Sequence, residues 1–327
     1  LDDGIDTIGK KMTVCQLYAK QIRHRGNVRY NTKNGRKRLM KLLEEDKLGG
    51  CPIDSVKLSD AKEWAIRMKE KGISYKTISN DKRSLKAAFY TAIQDDCIRK
   101  NPFDFQLNTV IEDDTEPKVP LTPAQEESFL SFAQNDKVYQ KYYDELIILL
   151  GTGLRISELC GLTDTDINFE NRIINVDHQL LRSAETGYYI ETPKTKSGIR
   201  QIPMSEKVYE AFNRVLKRRR GAKAVTIDGY SNFLFLNRDG YPKTATNYDG
   251  MFRGLAKKYN KYHEEALPKV MTPHTLRHTF CTNMANAGMN PKALQYIMGH
   301  SNITMTLNYY AHATFDSAKA EMLRIAA

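Results

Sequence analysis

A chain of 327 residues with 41% hydrophobic and 27% charged residues is long enough to bury the cores of two domains, and its composition excludes a disordered or fibrous protein. Fifty Lys and Arg against 39 Asp and Glu leave a net charge of +11 and a pI near 9.2, an excess that favours a polyanionic partner, most simply nucleic acid. Five cysteines (Cys15, Cys51, Cys97, Cys160, Cys281) with no CxxC spacing argue against a disulfide framework or a Cys-based zinc site, and no apolar run approaches the roughly 18 residues of a membrane span.

The chain opens on Leu1, without Met and without a basic-then-apolar signal pattern, so it reads as a cytoplasmic protein lacking an N-terminal segment. Residues 1–10 are expected to be a linker. The next hundred residues carry helical periodicity: "VCQLYAKQIRHR", "RKRLMKLLEED", "LSDAKEWAIRMKEKG" and "SYKTISNDKRSLKAAFYTAIQDDC" place apolar residues three and four apart among charges. Ser59 and Asp60 are the expected N-caps of the third run. Between the first two runs lies "RHRGNVRYNTKNGRKR", in which Arg23, Arg25, Arg29, Lys33, Arg36, Lys37 and Arg38 form a cluster suited to the phosphate backbone of DNA. A solvated charged face is the plain alternative for any one of them. "NPFDFQLNTVIEDDTEPKVPLTPAQEE" then breaks the periodicity, and residues 104–120 read as an extended linker.

A second domain starts at Thr122, where Thr-Pro-Ala-Gln supplies a cap, a proline at the first helical position and a Gln at the third. "YYDELIILLGTGLRISELCGL" reads as a buried helix, a Gly-Thr-Gly break and a second helix. "RIINVDHQLLR", "YYIETPKTK" and "IRQIPM" read as strands of a small antiparallel sheet. From "ATNYDGMFRGLAKKYNKY" onward the pattern is helical again. The fold class is therefore multidomain: an all-helical unit over 11–103, then a mostly helical α+β unit over 121–327.

Chemistry concentrates in the second unit. Arg155 follows the Gly-Thr-Gly bend, and its fork of donors suits two phosphate oxygens; a helical ion pair with Glu158 is the bland alternative. In "MTPHTLRHTFCT", Thr272 and Pro273 start a helix, and His274 and Arg277 lie one turn apart near its positive end. His274 and His278 are four apart, but Thr275 stands where a zinc protease carries Glu, so no metal is expected. "GMNPKALQYIMGHSNITMTLNYY" has its own cap and proline at Asn290 and Pro291, a stop at Gly299, then His300 and two tyrosines. Two arginines, two histidines, a lysine from "TPKTKSG" and a late tyrosine suit phosphodiester transfer through a covalent intermediate without metal or cofactor.

In order, "GTGLRISEL", "PKTKSGIRQIPM", "HTLRHTF", "MGHSNIT" and the tyrosine pair resemble the tyrosine recombinase (phage integrase) family, above all the integrases of Gram-positive conjugative transposons and phages. The resemblance implies a helical core-binding domain over 11–103, a catalytic domain over 121–327, and a site-specific recombinase that cleaves and rejoins DNA through a 3′-phosphotyrosine while integrating and excising a mobile element. Arg155 and Arg277 become the phosphate clamp, Lys194 the general acid with Lys196 as the alternative, His274 and His300 the assisting histidines, and Glu158 a supporting carboxylate. The resemblance places the nucleophile nine residues after His300, at Tyr309, or one further, at Tyr310. The ending "TLNYYAH" matches the longer spacing, so Tyr310 is the expected nucleophile. It further implies a double-stranded DNA partner, a tetramer in synapsis with exchange of the tail "TFDSAKAEMLRIAA", an excisionase or other accessory protein, and a small arm-binding domain absent from this sequence. A type IB topoisomerase-like strand transferase and a non-catalytic DNA-binding protein are the competing readings.

Overall fold

The computed structural model describes residues 11–26, 28–219, 225–310 and 322–323. The expected N-terminal linker, and all of the C-terminal tail except Met322 and Leu323, lie outside them. No helix among the described residues is long and apolar enough to cross a membrane. The chain divides into two compact units, Leu1–Pro117 and Lys118–Ala327.

The first unit is all-helical: α1 (Val14–His24), α2 (Tyr30–Glu44), α3 (Leu58–Glu70) and α4 (Tyr75–Gln94). Each buries one stripe, with Leu17 and Tyr18 of α1, Leu39 and Leu43 of α2, Trp64 and Met68 of α3 and Leu85 and Phe89 of α4 in a common core. Helix α3 starts one residue before the expected caps. Asp60 lies inside its first turn and accepts from the Lys57 backbone N–H at 2.8 Å, while Ser59 is exposed. The core also runs past Phe103, where the extended linker was expected to begin. Phe105, Leu107, Val110 and Ile111 fold back onto it, because the segment still carries apolar residues that water would otherwise cover.

In the second unit, α5 (Pro123–Asn135), α6 (Tyr143–Thr152), α7 (Ile156–Gly161), α8 (Glu206–Arg219), α9 (Ala245–Tyr262), α10 (Pro273–Asn286), α11 (Pro291–Met298) and α12 (Thr304–Leu307) surround two small sheets. Thr122 caps α5 as its sequence dictates: its hydroxyl accepts from Gln125 N, and the Gln125 side chain accepts from Thr122 N. Helix α6 is apolar nearly all round and forms the centre of this core, packed against α8 and α10. The β-rich stretch forms two sheets instead of one. Strands β1 (Ile167–Asn168), β2 (Ile173–Val176) and β5 (Arg200–Pro203) pair antiparallel in the order β1-β2-β5, and β3 (Gln179–Ser183) with β4 (Gly187–Glu191) makes a separate hairpin. The run "RIINVDHQLLR" breaks because buried His178 bonds the Gly161 carbonyl at 2.8 Å and Asp177 at 2.6 Å, turning the chain between sheets.

Trp64, the single tryptophan, sits 5.8 Å edge-on to Phe103, which lies 5.3 Å from Phe89. Phe103→Ala should therefore cost about 3–5 kcal/mol in the first unit, read from denaturant unfolding followed by Trp64 fluorescence. A loss below about 1 kcal/mol would mean that Phe103 is not part of the core.

Candidate active site

The site grows from two glycine-terminated helices that end at one corner. Helix α6 stops at Gly153, which is left-handed at φ 63°, and a side chain there would meet Phe280 at 2.5 Å and Met298 at 2.9 Å. Helix α11 stops at Gly299, also left-handed at φ 60°. The two carbonyl-rich ends are bridged by Arg277, whose guanidinium donates to Gly153 O and to Met298 O. Arg277 comes from α10, whose start at Thr272 and Pro273 follows the sequence expectation, with Thr275 Oγ1 accepting from Thr272 N at 3.1 Å.

Arg155 is the N-cap residue of α7. Its guanidinium donates to Glu158 Oε1 at 2.8 Å and to Gly299 O at 3.1 Å, so the residue after one helix break reaches the other break. Glu158 closes the first turn of α7 by accepting from Arg155 N at 2.8 Å. The same carboxylate receives both terminal nitrogens of Arg200, at 3.0 and 2.9 Å. Arg200, in "PKTKSGIRQIPM", carries little local signal: it stands between Ile199 and Gln201, and only its place two residues after the Lys196–Gly198 turn marks it. Three arginines and one carboxylate thus occupy a single, largely buried cluster.

That crowding sets the protonation states. Burial pushes the Glu158 carboxyl up, but the hydrogen bond and charge of Arg200, then the charges of Arg155 and Arg277, outweigh it and hold the group at about 2. Burial and the neighbouring Arg155 pull Arg277 down to about 9. His300, just past Gly299, is 5% exposed, and its Nδ1 bonds Thr306 Oγ1 at 2.9 Å. Burial, then the charges of Arg277, Arg155 and Arg200, depress it to about 4, so it is neutral at physiological pH.

His274 is exposed on the first turn of α10. Lys194 and Lys196 are both exposed, and Lys196 opens a 3₁₀ turn, Lys196–Gly198. Gly198 O of this turn accepts from Arg200 at 3.0 Å, and Ser197 O would lie 3.0 Å from a side chain at Gly299, so the turn rests on the corner. The two tyrosines follow α12 and pack on Phe280, Cys281, Leu294 and Met298. Their surroundings differ. The Tyr309 ring lies 4.9 Å from His278; burial and the Cys281 thiol raise its phenol, and the charge of Arg277 partly offsets them. The Tyr310 hydroxyl donates to Met289 O at 2.5 Å, and its phenol is raised by burial and Cys281.

In the first unit Arg23, Arg25, Lys33 and Lys37 are exposed, while Arg29 and Arg36 are half-buried. Arg36 donates to Arg25 O at 3.3 Å. Arg38 departs from the expectation. Its Nη2 donates to both carboxylate oxygens of buried Asp81 of α4 at 2.5 and 2.7 Å, because a carboxylate in that core needs a cation, and this holds α2 to α4.

His300 gives a pH test. Its folded value lies below the ordinary 6.5, so the unfolded chain takes up a proton that the fold refuses. The stability of the second unit is therefore undiminished by this residue above about pH 6.5 and falls as pH drops toward 4. The share between pH 7 and pH 5 is about 2 kcal/mol, and His300→Gln should remove that share from denaturant unfolding followed by circular dichroism. An unchanged slope in the variant would show His300 charged within the fold.

The sequence pattern of the phage integrase family matches residues 120–317. Over 325 residues the chain is 69% identical to the transposase from transposon Tn916 of Enterococcus faecalis, covering 99% of this chain and 80% of that protein. The integrase of transposon Tn1549, solved in complex with a circular intermediate DNA, superposes with a TM-score of 0.92 at 78% identity, covering 96% of this chain and 99% of that one. The same integrase with transposon right end DNA gives a TM-score of 0.91, again at 78% identity, over 97% of this chain and all of the other. The chain belongs to the phage integrase family and is a tyrosine-type site-specific DNA recombinase.

Proposed function

We propose that the Gly153–Gly299 corner receives a scissile DNA phosphate and that Tyr309 attacks it. The observation carrying this reading is the corner itself, where Arg155, Arg277 and neutral His300 converge with one carboxylate against three cations and Tyr309 feels the charge of Arg277. Arg155 and Arg277 hold the non-bridging oxygens and stabilise the charge that grows on them in the transition state. The Tyr309 oxygen forms a bond to phosphorus as the 5′ oxygen leaves, giving a 3′-phosphotyrosine; attack by a 5′ hydroxyl then expels the tyrosine and rejoins the strand. His300 hydrogen-bonds the phosphate, and His274, exposed on its helix, assists once DNA is present.

The spacing of "TLNYYAH" favoured Tyr310, and the geometry moves the proposal to its neighbour. The Tyr310 hydroxyl is engaged with Met289 O, and among the described residues no arginine charge shifts its phenol. The relatives support the same choice: an arginine replaced by lysine in one Tn1549 integrase structure and a tyrosine replaced by phenylalanine in another are as far apart in sequence as Arg155 and Tyr309 are here. The leaving 5′ oxygen needs a proton, and Lys196 is the better donor than Lys194 because its turn rests on the corner.

The substrate is double-stranded DNA at the ends of a mobile element, in keeping with the transposon sources of these relatives. In this reading the first unit, up to Pro117, is the core-binding domain, and the second, from Lys118, is the catalytic domain. Arg23, Arg25, Arg29, Lys33, Arg36 and Lys37 contact its phosphates, with Arg38 committed to Asp81. Four protomers assemble in the cytoplasm with exchange of their C-terminal tails, and an excisionase biases direction.

A duplex nicked beside the cleavage point traps the covalent adduct. Tyr309→Phe should abolish that adduct on denaturing gels, and Tyr310→Phe should retain it within about tenfold. The reverse pattern would return the role to Tyr310, and adducts formed equally on arbitrary sequence would favour a topoisomerase-like activity.

A further inference from the structure

Arg200 has no place in the chemistry above, yet every one of its guanidinium nitrogens is bonded within the fold. Its side chain is 0% exposed, so it cannot reach DNA. Besides the two bonds to Glu158, its Nε donates to Ile297 O at 2.6 Å and its Nη1 to Gly198 O at 3.0 Å. The three acceptors belong to three segments: the first turn of α7, the Lys196–Gly198 turn, and the last turn of α11 just before Gly299 and His300. A side-chain carbon at Gly299 would come within 3.1 and 3.2 Å of the Arg200 Nη1 and Cδ, so the end of α11 lies directly on this guanidinium. The planar fork is what allows one residue to serve three directions; a lysine ammonium offers fewer donors from a single point.

We propose that Arg200 is a positioning residue for strand cleavage, setting the Lys196–Gly198 turn, and with it the proton donor, in register with the Glu158–Arg155 clamp. This deepens the reading of that turn as the proton source and rests on it. In the cleavage step the tyrosine gives up its phenol proton to solvent as its oxygen–phosphorus bond forms, the phosphorus–5′ oxygen bond breaks, and the departing 5′ alkoxide takes its proton from the lysine ammonium. A 5′ bridging sulfur in place of that oxygen leaves as a thiolate and needs no proton. Loss of alignment in the turn should therefore be visible with the oxygen substrate and concealed with the sulfur one.

The test is single-turnover cleavage of nicked duplexes carrying either bridging atom, with the full chain and its Arg200→Lys, Arg200→Gln and Lys196→Ala variants. Thermal unfolding and DNA affinity are measured alongside, and whichever Arg200 variant remains folded is read. The Arg200 variant should cleave the oxygen substrate on the order of 100-fold more slowly, with DNA affinity held within about twofold, and cleave the sulfur substrate within about fivefold of the unsubstituted chain. Equal slowing on both substrates while Lys196→Ala is rescued by sulfur would overturn the proposal, because Arg200 would then act through the clamp or the fold. Rescue of the Arg200 variant without rescue of Lys196→Ala would keep Arg200 in its role and remove Lys196 from the donor's, leaving Lys194. Rescue of neither variant, loss of folding in both Arg200 variants, or undiminished cleavage of the oxygen substrate would overturn it.

Discussion

The arginine corner of the second unit is organised around one buried carboxylate. Glu158 binds Arg155 at the head of its own helix and Arg200 from a strand 42 residues away, and it lies within the field of Arg277. Alone, each buried guanidinium would be costly to remove from water, and three close together would repel. The shared carboxylate and the carbonyls of Gly153, Gly198, Ile297, Met298 and Gly299 make the arrangement tolerable. One carboxylate against three cations still leaves positive charge in excess. The resident groups settle their mutual arrangement, and in the proposed reading an incoming phosphate would complete the charge balance.

The same excess explains the state of His300. Surrounded by arginines and buried, it is held neutral and adds no fourth positive charge to the cluster. The phenols remain above their usual range in the DNA-free protein. If Tyr309 is the nucleophile, as proposed, its activation belongs to the DNA-bound state, where Arg277 and the phosphate would lie beside it.

Much of this was legible from local chemistry. The starts of α5, α10 and α11 follow from a capping residue and a following proline at Thr122, Thr272 and Asn290, and the stops of α6 and α11 from Gly153 and Gly299. Arg155, Arg277 and His300 could be singled out because they flank those punctuation marks. What escaped depends on contacts distant in sequence. Arg200 meets Glu158 from another element, Arg38 finds Asp81 43 residues away, and the strand run splits because His178 reaches the Gly161 carbonyl. Two adjacent tyrosines have the same composition and nearly the same spacing. What each touches, His278 for one and Met289 O for the other, separates them in the fold.

The most direct test of this account is mass spectrometry of the trapped covalent complex after nuclease and trypsin digestion, since one peptide after Lys292 holds Tyr296, Tyr309 and Tyr310. Fragmentation of that peptide should place the residual nucleotide on Tyr309. A nucleotide on Tyr310 would contradict the assignment and require the Met289 contact to break before every cleavage.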